Sequence, residues 1–330
     1  MPLITVSPAG LYCKAGDFYI DPWRSVDTAM ITHAHSDHAR SGSSRYFATG
    51  ISQGILRKRL GDDIDLQGVN YGEPLKLGDT WVSFHSAGHV LGSAQVRIEH
   101  KDEVWVISGD YKRGADPTCD PFEVVPCDGF ISEATFGLPI YNWDSGEETC
   151  RRIYNWWQSD QERASILFCY SFGKAQRVLS ELMKFTDRPV YVHGAIQILN
   201  TIYREAGIPL LETISTSDMP KNHSYKGELI LAPPSGHRSS WMKRFARPQT
   251  AFASGWMAVR GARRRRGYER GFVLSDHADW KGLVQTILQT GAKKVYVTHG
   301  QTDVLSRYLR ECHDIDASPL KTLFEGEADI

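Results

Sequence analysis

The 330-residue chain contains no apolar run that approaches the 18 residues of a membrane-spanning helix. Its N-terminal segment, MPLITVSPAG, lacks a basic stretch followed by a long apolar one, which argues against a secretory signal peptide. Its six cysteines form no C-x-x-C pair, so neither a disulfide framework nor a zinc ribbon is expected. From these absences we predict a reduced, cytoplasmic protein with no membrane partner.

The chain also has no excess of charge of one sign, since 38 Lys and Arg residues stand against 39 Asp and Glu residues, a net charge of −1. Apolar residues make up 41% of the chain and charged residues 23%, a balance that excludes disordered and fibrous proteins. Nucleic-acid-binding domains usually carry a basic surplus, so the whole-chain charge argues against a nucleic-acid partner. How these charges are divided between domains depends on where the domain boundaries lie.

Three regions with different patterns follow one another along the chain. Short strand-like runs separated by turns fill about the first 135 residues. Between about Leu138 and Gly271, strands alternate with amphipathic helices, which predicts a parallel sheet with crossover helices. A strand–helix–strand–helix pattern then completes the chain. We therefore predict an α/β protein in which residues 138–271 are inserted between two parts of another domain, 1–137 and 272–330.

Individual elements are predicted from hydrophobic spacing and from turn residues. The predicted strands include Ala29–Thr32, Thr80–His85 and Phe272–Leu274. The predicted helices include Ile51–Leu60 and Trp280–Thr290, each followed by a glycine that can end a helix.

The strongest chemical signal is the segment HAHSDH, residues 33–38, which follows the strand predicted at Ala29–Thr32. Alternate residues of an extended segment face the same way, so His33 and His35 can bind one ion. Asp37 and His38, just beyond them, can turn toward a second ion. Imidazole and carboxylate groups are ligands that zinc, manganese and iron accept. The alternative is a histidine-rich surface loop, which rarely combines this spacing with a preceding buried strand.

This HxHxDH segment resembles the ligand motif of the metallo-β-lactamase superfamily, and three further segments are similar to motifs of that family: SAGHVLGSA at 86–94, SGDY at 108–111 and YVTHG at 296–300. The resemblance implies two divalent metal ions, with zinc expected and manganese as the alternative. The residues that it implies for the first metal are His33, His35, His89 and Asp110. Those implied for the second are Asp37, His38, His299 and the shared Asp110. Asp21, in the segment YIDP, matches the first motif of the family, and it would orient a ligand histidine without touching the metal.

Two more segments resemble motifs A and B of the β-CASP nucleases within that superfamily. They are ISEATFG at 131–137 and LSDHAD at 274–279, and they flank the predicted insertion. The resemblance covers nearly the whole chain. It implies a metallo-β-lactamase αββα sandwich that carries an inserted β-CASP domain with a Rossmann-like parallel sheet.

The two β-CASP motifs contribute Glu133 and His277, which suit the hydrolysis of phosphodiesters. The leaving oxygen of a phosphodiester needs a proton at neutral pH, which His277 can supply, and a carboxylate such as Glu133 can hold that imidazole charged and aimed. We also count the metal ligand Asp37 among the catalytic residues. The alternative for the Glu133–His277 pair is a buried structural contact without a catalytic role.

Among β-CASP enzymes, the chain is most similar in length and local motifs to the bacterial ligase-associated DNA exonucleases. This resemblance implies exonuclease action on single-stranded DNA in repair, with 5′→3′ polarity, and association with a DNA ligase and a helicase. One departure keeps an RNA-processing nuclease open, because DNA-acting members of the Artemis type usually carry Val where this chain has His299. A non-nuclease ester or thioester hydrolase and a catalytically inactive nucleic-acid-binding scaffold are the remaining alternatives.

Several polar residues are candidates for contact with substrate phosphates, although each could instead be an ordinary surface, capping or loop residue. These candidates are Lys112, Arg113, Ser171, Lys174, His237, Arg238 and Arg264. The last belongs to an arginine-rich run just before motif B, where a cluster of guanidinium groups would attract phosphates.

With the predicted boundaries, the net charge of the whole chain no longer argues against a nucleic-acid partner. The insertion at 138–271 has 20 Lys and Arg residues and 12 Asp and Glu residues, a net charge of +8, whereas the remainder has 18 and 27, a net charge of −9. The whole-chain value of −1 is therefore a cancellation. A basic insertion beside an acidic, metal-binding remainder is compatible with a polynucleotide substrate.

Overall fold

The structure is a computed structural model that describes residues 3–259 and 267–322. It divides into two compact units. The first comprises the described residues up to Arg113, the segment Cys119–Tyr141 and the described residues from His277 onward. The second comprises Gly114–Thr118 and the described residues of Asn142–Asp276. The segment predicted as an insertion, 138–271, therefore falls mostly in the second unit.

The strands are short, as the frequent turn residues of the sequence predict. In chain order they are β1 (Ile4–Ser7), β2 (Gly10–Cys13), β3 (Phe18–Ile20), β4 (Thr28–Met30), β5 (Arg45–Thr49), β6 (Leu66–Val69), β7 (Leu75–Leu77), β8 (Thr80–Ser86), β9 (Ala94–His100), β10 (Glu103–Ile107), β11 (Gly129–Ala134), β12 (Ser165–Phe168), β13 (Val190–Val192), β14 (Thr213–Ser215), β15 (Leu229–Ala232), β16 (Gln249–Ala253), β17 (Arg270–Phe272), β18 (Lys294–Gly300) and β19 (Asp316–Pro319).

The helices connect these strands or follow them. In chain order the described α-helices are α1 (Gln53–Leu60), α2 (Gly146–Gln158), α3 (Lys174–Leu182), α4 (Gly194–Glu205), α5 (Trp280–Thr290) and α6 (Thr302–His313). Helix α5 shows how local sequence sets the bounds. The Asp279 side chain accepts a hydrogen bond from the Gly282 N–H at 2.8 Å, and Gly291 ends the helix with a left-handed φ of 70°.

The first unit contains two sheets. One has the strand order β1-β2-β3-β4-β5-β6, and the other has the order β19-β18-β11-β10-β9-β8-β7. In the second sheet, β10, β11, β18 and β19 run parallel to one another, so their carboxyl ends lie at the same edge. Side chains that follow or end these strands are therefore brought together, which is how residues distant in sequence reach one site.

An apolar core joins the two sheets of the first unit. Met30 and Phe47 of one sheet belong to the same buried cluster as Phe84, Val96 and Trp105 of the other. A second cluster covers the opposite face of the seven-stranded sheet, where α5 and α6 supply buried leucine and isoleucine side chains. Burial of about 25 cal/mol per Å² of apolar surface makes these two clusters the main stabilising contribution to the unit.

The second unit is built on a six-stranded, fully parallel sheet with the order β14-β13-β15-β12-β16-β17. Its central strands are completely buried, as expected for a parallel sheet covered on both faces. The indole N–H of Trp157, on α2, donates to the Gly227 carbonyl oxygen at 2.9 Å, so this buried aromatic side chain satisfies its polar group.

The structure also differs from the sequence predictions at several ends of elements. The strand predicted at Ala29–Thr32 ends at Met30, and the strand predicted at Phe272–Leu274 lies instead at Arg270–Phe272. The first error has a physical cause: the backbone N–H of Thr32 binds the Asp21 carboxylate at 2.8 Å instead of a neighbouring strand. Within the described part of the chain, the helices are too short or too polar to cross a membrane.

Two aromatic residues on opposite faces of β8 provide a test of the core. We expect Phe84→Ala, which truncates a fully buried ring, to lower the free energy of unfolding by about 3–5 kcal/mol. The matched control is Trp81→Ala, because Trp81 is 47% exposed and should cost about 1 kcal/mol or less. Urea denaturation followed by circular dichroism measures both. Equal costs for the two variants would contradict the placement of β8 in the core.

Candidate active site

The HAHSDH segment forms a turn. The backbone N–H groups of His38 and Ala39 both donate to the carbonyl oxygen of His35, at 3.2 and 2.9 Å. This turn begins at His35, so it follows the two histidines that the sequence predicts for one ion and contains Asp37 and His38, which the sequence predicts to turn toward a second. The turn gathers side chains that an extended segment would separate.

The first group of possible ligands combines this turn with two other loops. His33, His35, His89 and Asp110 each offer one ligand atom, and these atoms all lie within 4.8 Å of one another. The Nδ1 atom of His35 is 3.0 Å from His33 Nε2 and 3.1 Å from His89 Nε2. The structure thus brings together the four residues predicted for a first metal.

The second group contains Asp37, His38 and His299, whose ligand atoms lie within the same limit of one another. His38 Nε2 is 3.7 Å from Asp37 Oδ2 and 3.4 Å from Asp110 Oδ2, and His299 Nδ1 is 3.9 Å from Asp110 Oδ1. The Asp110 carboxylate, which is 3% exposed, therefore lies beside both groups, where a shared ligand would be placed.

Two buried polar atoms at the centre test whether these residues suit metal ions. His38 Nε2 and Asp110 Oδ1 are buried, and neither makes a hydrogen bond within residues 3–259 and 267–322. Unsatisfied buried polar atoms are costly, and a cation bound between them would remove that cost. Imidazole nitrogens and carboxylate oxygens are also the ligands that zinc accepts. The residues present suit two divalent cations.

The charges of the site support the same interpretation. Burial, together with the neighbouring His38, holds the pKa of His33 well below its ordinary value. Burial also opposes charge on His38, but the carboxylates of Asp110 and Asp37 raise the pKa of His38 well above its ordinary value. Burial lowers the pKa of His299. The lowered pKa values of His33 and His299 favour the neutral imidazole that metal coordination requires, whereas the raised pKa of His38 favours its charged form.

Asp21 lies where the sequence places an orienting carboxylate. Its Oδ2 atom is 2.7 Å from His38 Nδ1, so the Nε2 atom of His38 is the nitrogen that faces the two ligand groups. The hydroxyl of Thr32 donates to the same oxygen at 2.6 Å, and its backbone N–H donates to Asp21 Oδ1 at 2.8 Å. Thr32 was not predicted from the sequence, although its position one residue before the HAHSDH segment was an available signal.

Glu133 and His277 form a buried pair beside the ligand groups. His277 Nδ1 lies 2.9 and 3.0 Å from the two carboxylate oxygens of Glu133, and the side chains are 2% and 1% exposed. The backbone N–H of Tyr111 donates to Glu133 Oε1 at 2.8 Å, which fixes the carboxylate. The rings of His277 and His89 are 4.7 Å apart between centroids, so the pair borders the first ligand group.

The backbone around His299 is also specialised. His299 has a left-handed φ of 57°, and Gly300 follows with a φ of 72°. A Cβ atom at position 300 would lie 2.3 Å from the Ala134 carbonyl oxygen, so a glycine is required there. Strained conformations of this kind persist where the surrounding structure fixes them, and they concentrate at functional sites.

Two predicted phosphate-binding residues of the first unit have structural contacts instead. Lys112 is 3% exposed, and its ammonium donates to the carbonyl oxygen of His89 at 3.4 Å. The guanidinium of Arg113 donates to Thr286 Oγ1 at 3.1 Å and to Gln289 Oε1 at 2.8 Å, both on α5. The structure therefore favours a supporting role for both residues, and we withdraw them as phosphate ligands.

The predicted phosphate-binding residues of the second unit differ in burial and in their contacts. Lys174 is 3% exposed and its Nζ atom is 3.3 Å from Asp276 Oδ2, so it is committed to a buried ion pair. Ser171 does not cap the helix that follows, since α3 begins after Gly173. His237 packs against the ring of Tyr268 with centroids 4.1 Å apart. Arg238 is exposed, and Arg264 lies outside the described residues.

Several named proteins are similar to this chain in sequence. No family model matches the chain. A protein named as a probable DNA ligase, from Opitutus terrae, is 27% identical over 306 residues, which are 92% of this chain and 30% of that protein. An RNase J-like protein from Methanocaldococcus jannaschii is 22% identical over 211 residues, which are 54% of this chain and 50% of that protein. A ribonuclease from Thermus thermophilus is 31% identical over 147 residues, which are 36% of this chain and 34% of that protein.

The chain spans about a third of the first of these relatives and half of the second. Among solved structures, a protein of unknown function from Enterococcus faecalis superposes with a TM-score of 0.60 at 12% sequence identity. That superposition covers 91% of this chain and 80% of the other, and at this identity it is a likeness of fold alone.

Removal of the central carboxylate should affect both ligand groups. We expect Asp110→Ala to lower the zinc content from about two ions per chain to below one, because the same side chain borders both groups. Elemental analysis of the purified protein measures the content. The control is His85→Ala, since His85 binds Glu123 and Ser83 outside the site. Two ions retained by Asp110→Ala would contradict the shared-ligand assignment, and about none in the unaltered protein would favour an inactive scaffold.

Removal of the orienting carboxylate should have a smaller effect. We expect Asp21→Asn to weaken zinc affinity by about 10–100-fold while leaving the ligands in place, because His38 loses the partner that fixes its ring. Competition with a chromophoric chelator measures the affinity. An affinity equal to that of the unaltered protein would mean that the fold alone orients His38.

Proposed function

Because the chain belongs to the β-CASP nuclease branch of the metallo-β-lactamase superfamily, we propose that it is a metal-dependent DNA exonuclease that hydrolyses phosphodiester bonds. Its proposed substrate is single-stranded DNA, degraded with 5′→3′ polarity in DNA repair. In this proposal the first unit is an αββα sandwich and the second is the inserted β-CASP domain. The observation that carries the proposal is the buried Glu133–His277 pair beside two groups of metal ligands.

In the proposed site, His33, His35, His89 and Asp110 would hold one ion, and Asp37, His38, His299 and Asp110 the other. Divalent ions in such a site acidify water and neutralise the charge that develops on a phosphoryl group during transfer. We propose zinc as the native metal, with manganese as the alternative, since both accept imidazole and carboxylate ligands.

The protein's own groups supply the proton for the leaving oxygen. Glu133 binds Nδ1 of His277, so proton transfer to a substrate would use Nε2 of the same ring. The carboxylate favours the charged imidazole and sets its orientation, which are the two requirements of a general acid near neutral pH. The N–H of Tyr111 in turn fixes Glu133, so the acid is held by two successive contacts.

The match to a protein named as a probable DNA ligase supports DNA as the substrate, whereas other relatives are named as ribonucleases, so both are candidate substrates. The match to a probable DNA ligase covers 92% of this chain, whereas the matches to the RNase J-like protein and the ribonuclease cover 54% and 36%. An RNA-processing nuclease is the second candidate, and the histidine at position 299 favours it. An ester or thioester hydrolase is the third candidate, and it gives no reason for the Glu133–His277 pair.

We further propose that the protein acts together with a DNA ligase. A chain named for that activity contains a region similar to nearly all of this one, and that region is 30% of its length. The presence of such a region in a protein named as a DNA ligase supports a shared task for the ligase and the proposed nuclease. A helicase partner and a cytoplasmic location stay predictions from the sequence.

End-labelled single-stranded oligonucleotides of matched DNA and RNA sequence test the substrate. With zinc or manganese added, we expect DNA to be shortened progressively from its 5′ end while the RNA is degraded more slowly. Denaturing gel electrophoresis of 5′- and 3′-labelled strands measures substrate, mode and polarity together. Cleavage of RNA alone would reject the DNA proposal in favour of the second candidate.

Mutation of the proposed acid separates nucleases from other hydrolases of the superfamily. We expect His277→Ala to lower the rate of oligonucleotide cleavage by about 10²–10⁴-fold, because the leaving oxygen loses its proton donor. Single-turnover kinetics measure this rate, and His85→Ala is again the control. Metal content is measured in parallel because His277 lies near Asp110. Full activity of His277→Ala on a thioester, with no oligonucleotide cleavage by any variant, supports the hydrolase alternative.

A further inference from the structure

A second pocket lies in the first unit, beside the HAHSDH turn and apart from the ligand groups. Its polar lining has one chemical character, because it consists of guanidinium and hydroxyl groups. These lining residues are Arg24, Arg40, Arg59, Ser25, Ser36 and Ser41. None of these six residues is predicted from the sequence as a site residue, because they come from three separate segments that only the fold brings together.

The charge of this pocket is opposite to that of the metal-ligand cavity. The latter is lined by carboxylates, among them Asp21, Asp37 and Asp110, which suit cations. Among the residues that the structure describes, no carboxylate lines the second pocket, which we call the arginine pocket. A planar guanidinium matches two oxygens of a phosphate at once, and serine hydroxyls can donate to the remaining oxygens. The arginine pocket therefore has the chemistry of a phosphate site.

The two pocket arginines that face solvent, Arg24 and Arg59, form no ion pair within the described part of the chain. Some exposed arginines elsewhere are paired, such as Arg151 with Glu147 at 3.1 Å and Arg307 with Glu311 at 2.7 Å. Within the part of the chain that the structure describes, Arg24 and Arg59 make no ion pair with a carboxylate within 4.0 Å. Their charge is thus available to an anion from solution.

The arginine pocket adjoins the proposed catalytic site. Trp23 lines both the metal-ligand cavity and the arginine pocket. Ser36 lies between His35 and Asp37 in the HAHSDH turn, so one residue of the pocket has a metal ligand on each side in the chain. The carboxylate of Asp37 also acts electrostatically on Arg59. A polymer whose scissile phosphate lies at the ligand groups would have other phosphates within reach of the arginine pocket.

We propose that the arginine pocket binds backbone phosphates of the single-stranded nucleic acid on one side of the scissile bond. This inference rests on the proposed function. The pocket offers groups for phosphate oxygens and none dedicated to the sugar, so it should serve DNA and RNA alike. Its role is to hold the strand in register, because phosphate contacts fix position without reading sequence.

The test compares two double variants that remove the same charge. Arg24→Gln/Arg59→Gln alters the pocket, and Arg151→Gln/Arg307→Gln removes two exposed, paired arginines elsewhere. Binding of zinc-loaded protein to fluorescent, phosphorothioate-linked DNA and RNA oligonucleotides, which resist hydrolysis, is measured by anisotropy at several salt concentrations. Zinc content and the thermal unfolding midpoint verify that each variant is folded.

We expect the pocket variant to bind both oligonucleotides at least about tenfold more weakly than the control variant, since hydrogen bonds to charged groups are lost. The slope of log affinity against log salt should fall by about 1.4, which corresponds to two phosphate contacts on a single strand. Arg24→Lys/Arg59→Lys should restore the slope and only part of the affinity, because lysine keeps the charge without the planar fork.

Equal affinity and equal salt slope in the pocket and control variants would overturn the inference. The proposed function fails in a different way. If the unaltered protein binds the oligonucleotides but does not cut hydrolysable versions with zinc or manganese present, the nuclease proposal is rejected while the binding comparison still decides the role of the pocket. If the unaltered protein binds neither oligonucleotide, the pocket inference is overturned as well.

Discussion

Four histidine rings surround one buried carboxylate at the centre of the first unit. The oxygens of Asp110 lie 3.4 Å from ring nitrogens of His33 and His38, and 3.9 Å from those of His89 and His299. So many lone pairs in a buried volume repel one another unless a cation is shared among them. The scaffold must therefore be rigid enough to hold these groups together. The two apolar clusters on either side of the seven-stranded sheet supply that rigidity.

The order of the strands explains how the sequence can distribute such a site over 267 positions, from residue 33 to residue 299. Strands β10, β11 and β18 are parallel neighbours, so Asp110, Glu133 and His299 come to one edge although they are far apart in the chain. Glu133 and His277, which pair with each other, lie before and after the main segment of the second unit in the sequence. Because this contact depends on the framework of the first unit, the length of the intervening segment is free to vary without moving the pair.

The residues predicted as metal ligands lie close together in the structure, and the sequence could indicate them because each lies in a short motif whose spacing is itself chemical information. The geometry was less predictable. The HAHSDH segment contains a turn held by the His35 carbonyl, and the strand before it ends where Thr32 binds Asp21, a contact that joins separate segments. Lys112 and Lys174 have the charge of phosphate ligands, but burial commits both to the protein interior, and burial at single positions is a property of the fold. Several short strands, such as β6 and β14, were missed because their hydrophobic patterns are too brief to distinguish from loops.

The left-handed backbone at His299 restricts the evolutionary paths that are open at that position. Asparagine, aspartate and histidine tolerate a φ of 57°, whereas a β-branched residue such as valine is strongly disfavoured there. Valine is the residue expected at the matching motif from the resemblance to DNA-acting nucleases of the Artemis type. An exchange between histidine and valine would therefore need a local rearrangement of the β18 end as well as a change of side chain. The backbone conformation therefore constrains the identity of residue 299 independently of any substrate preference.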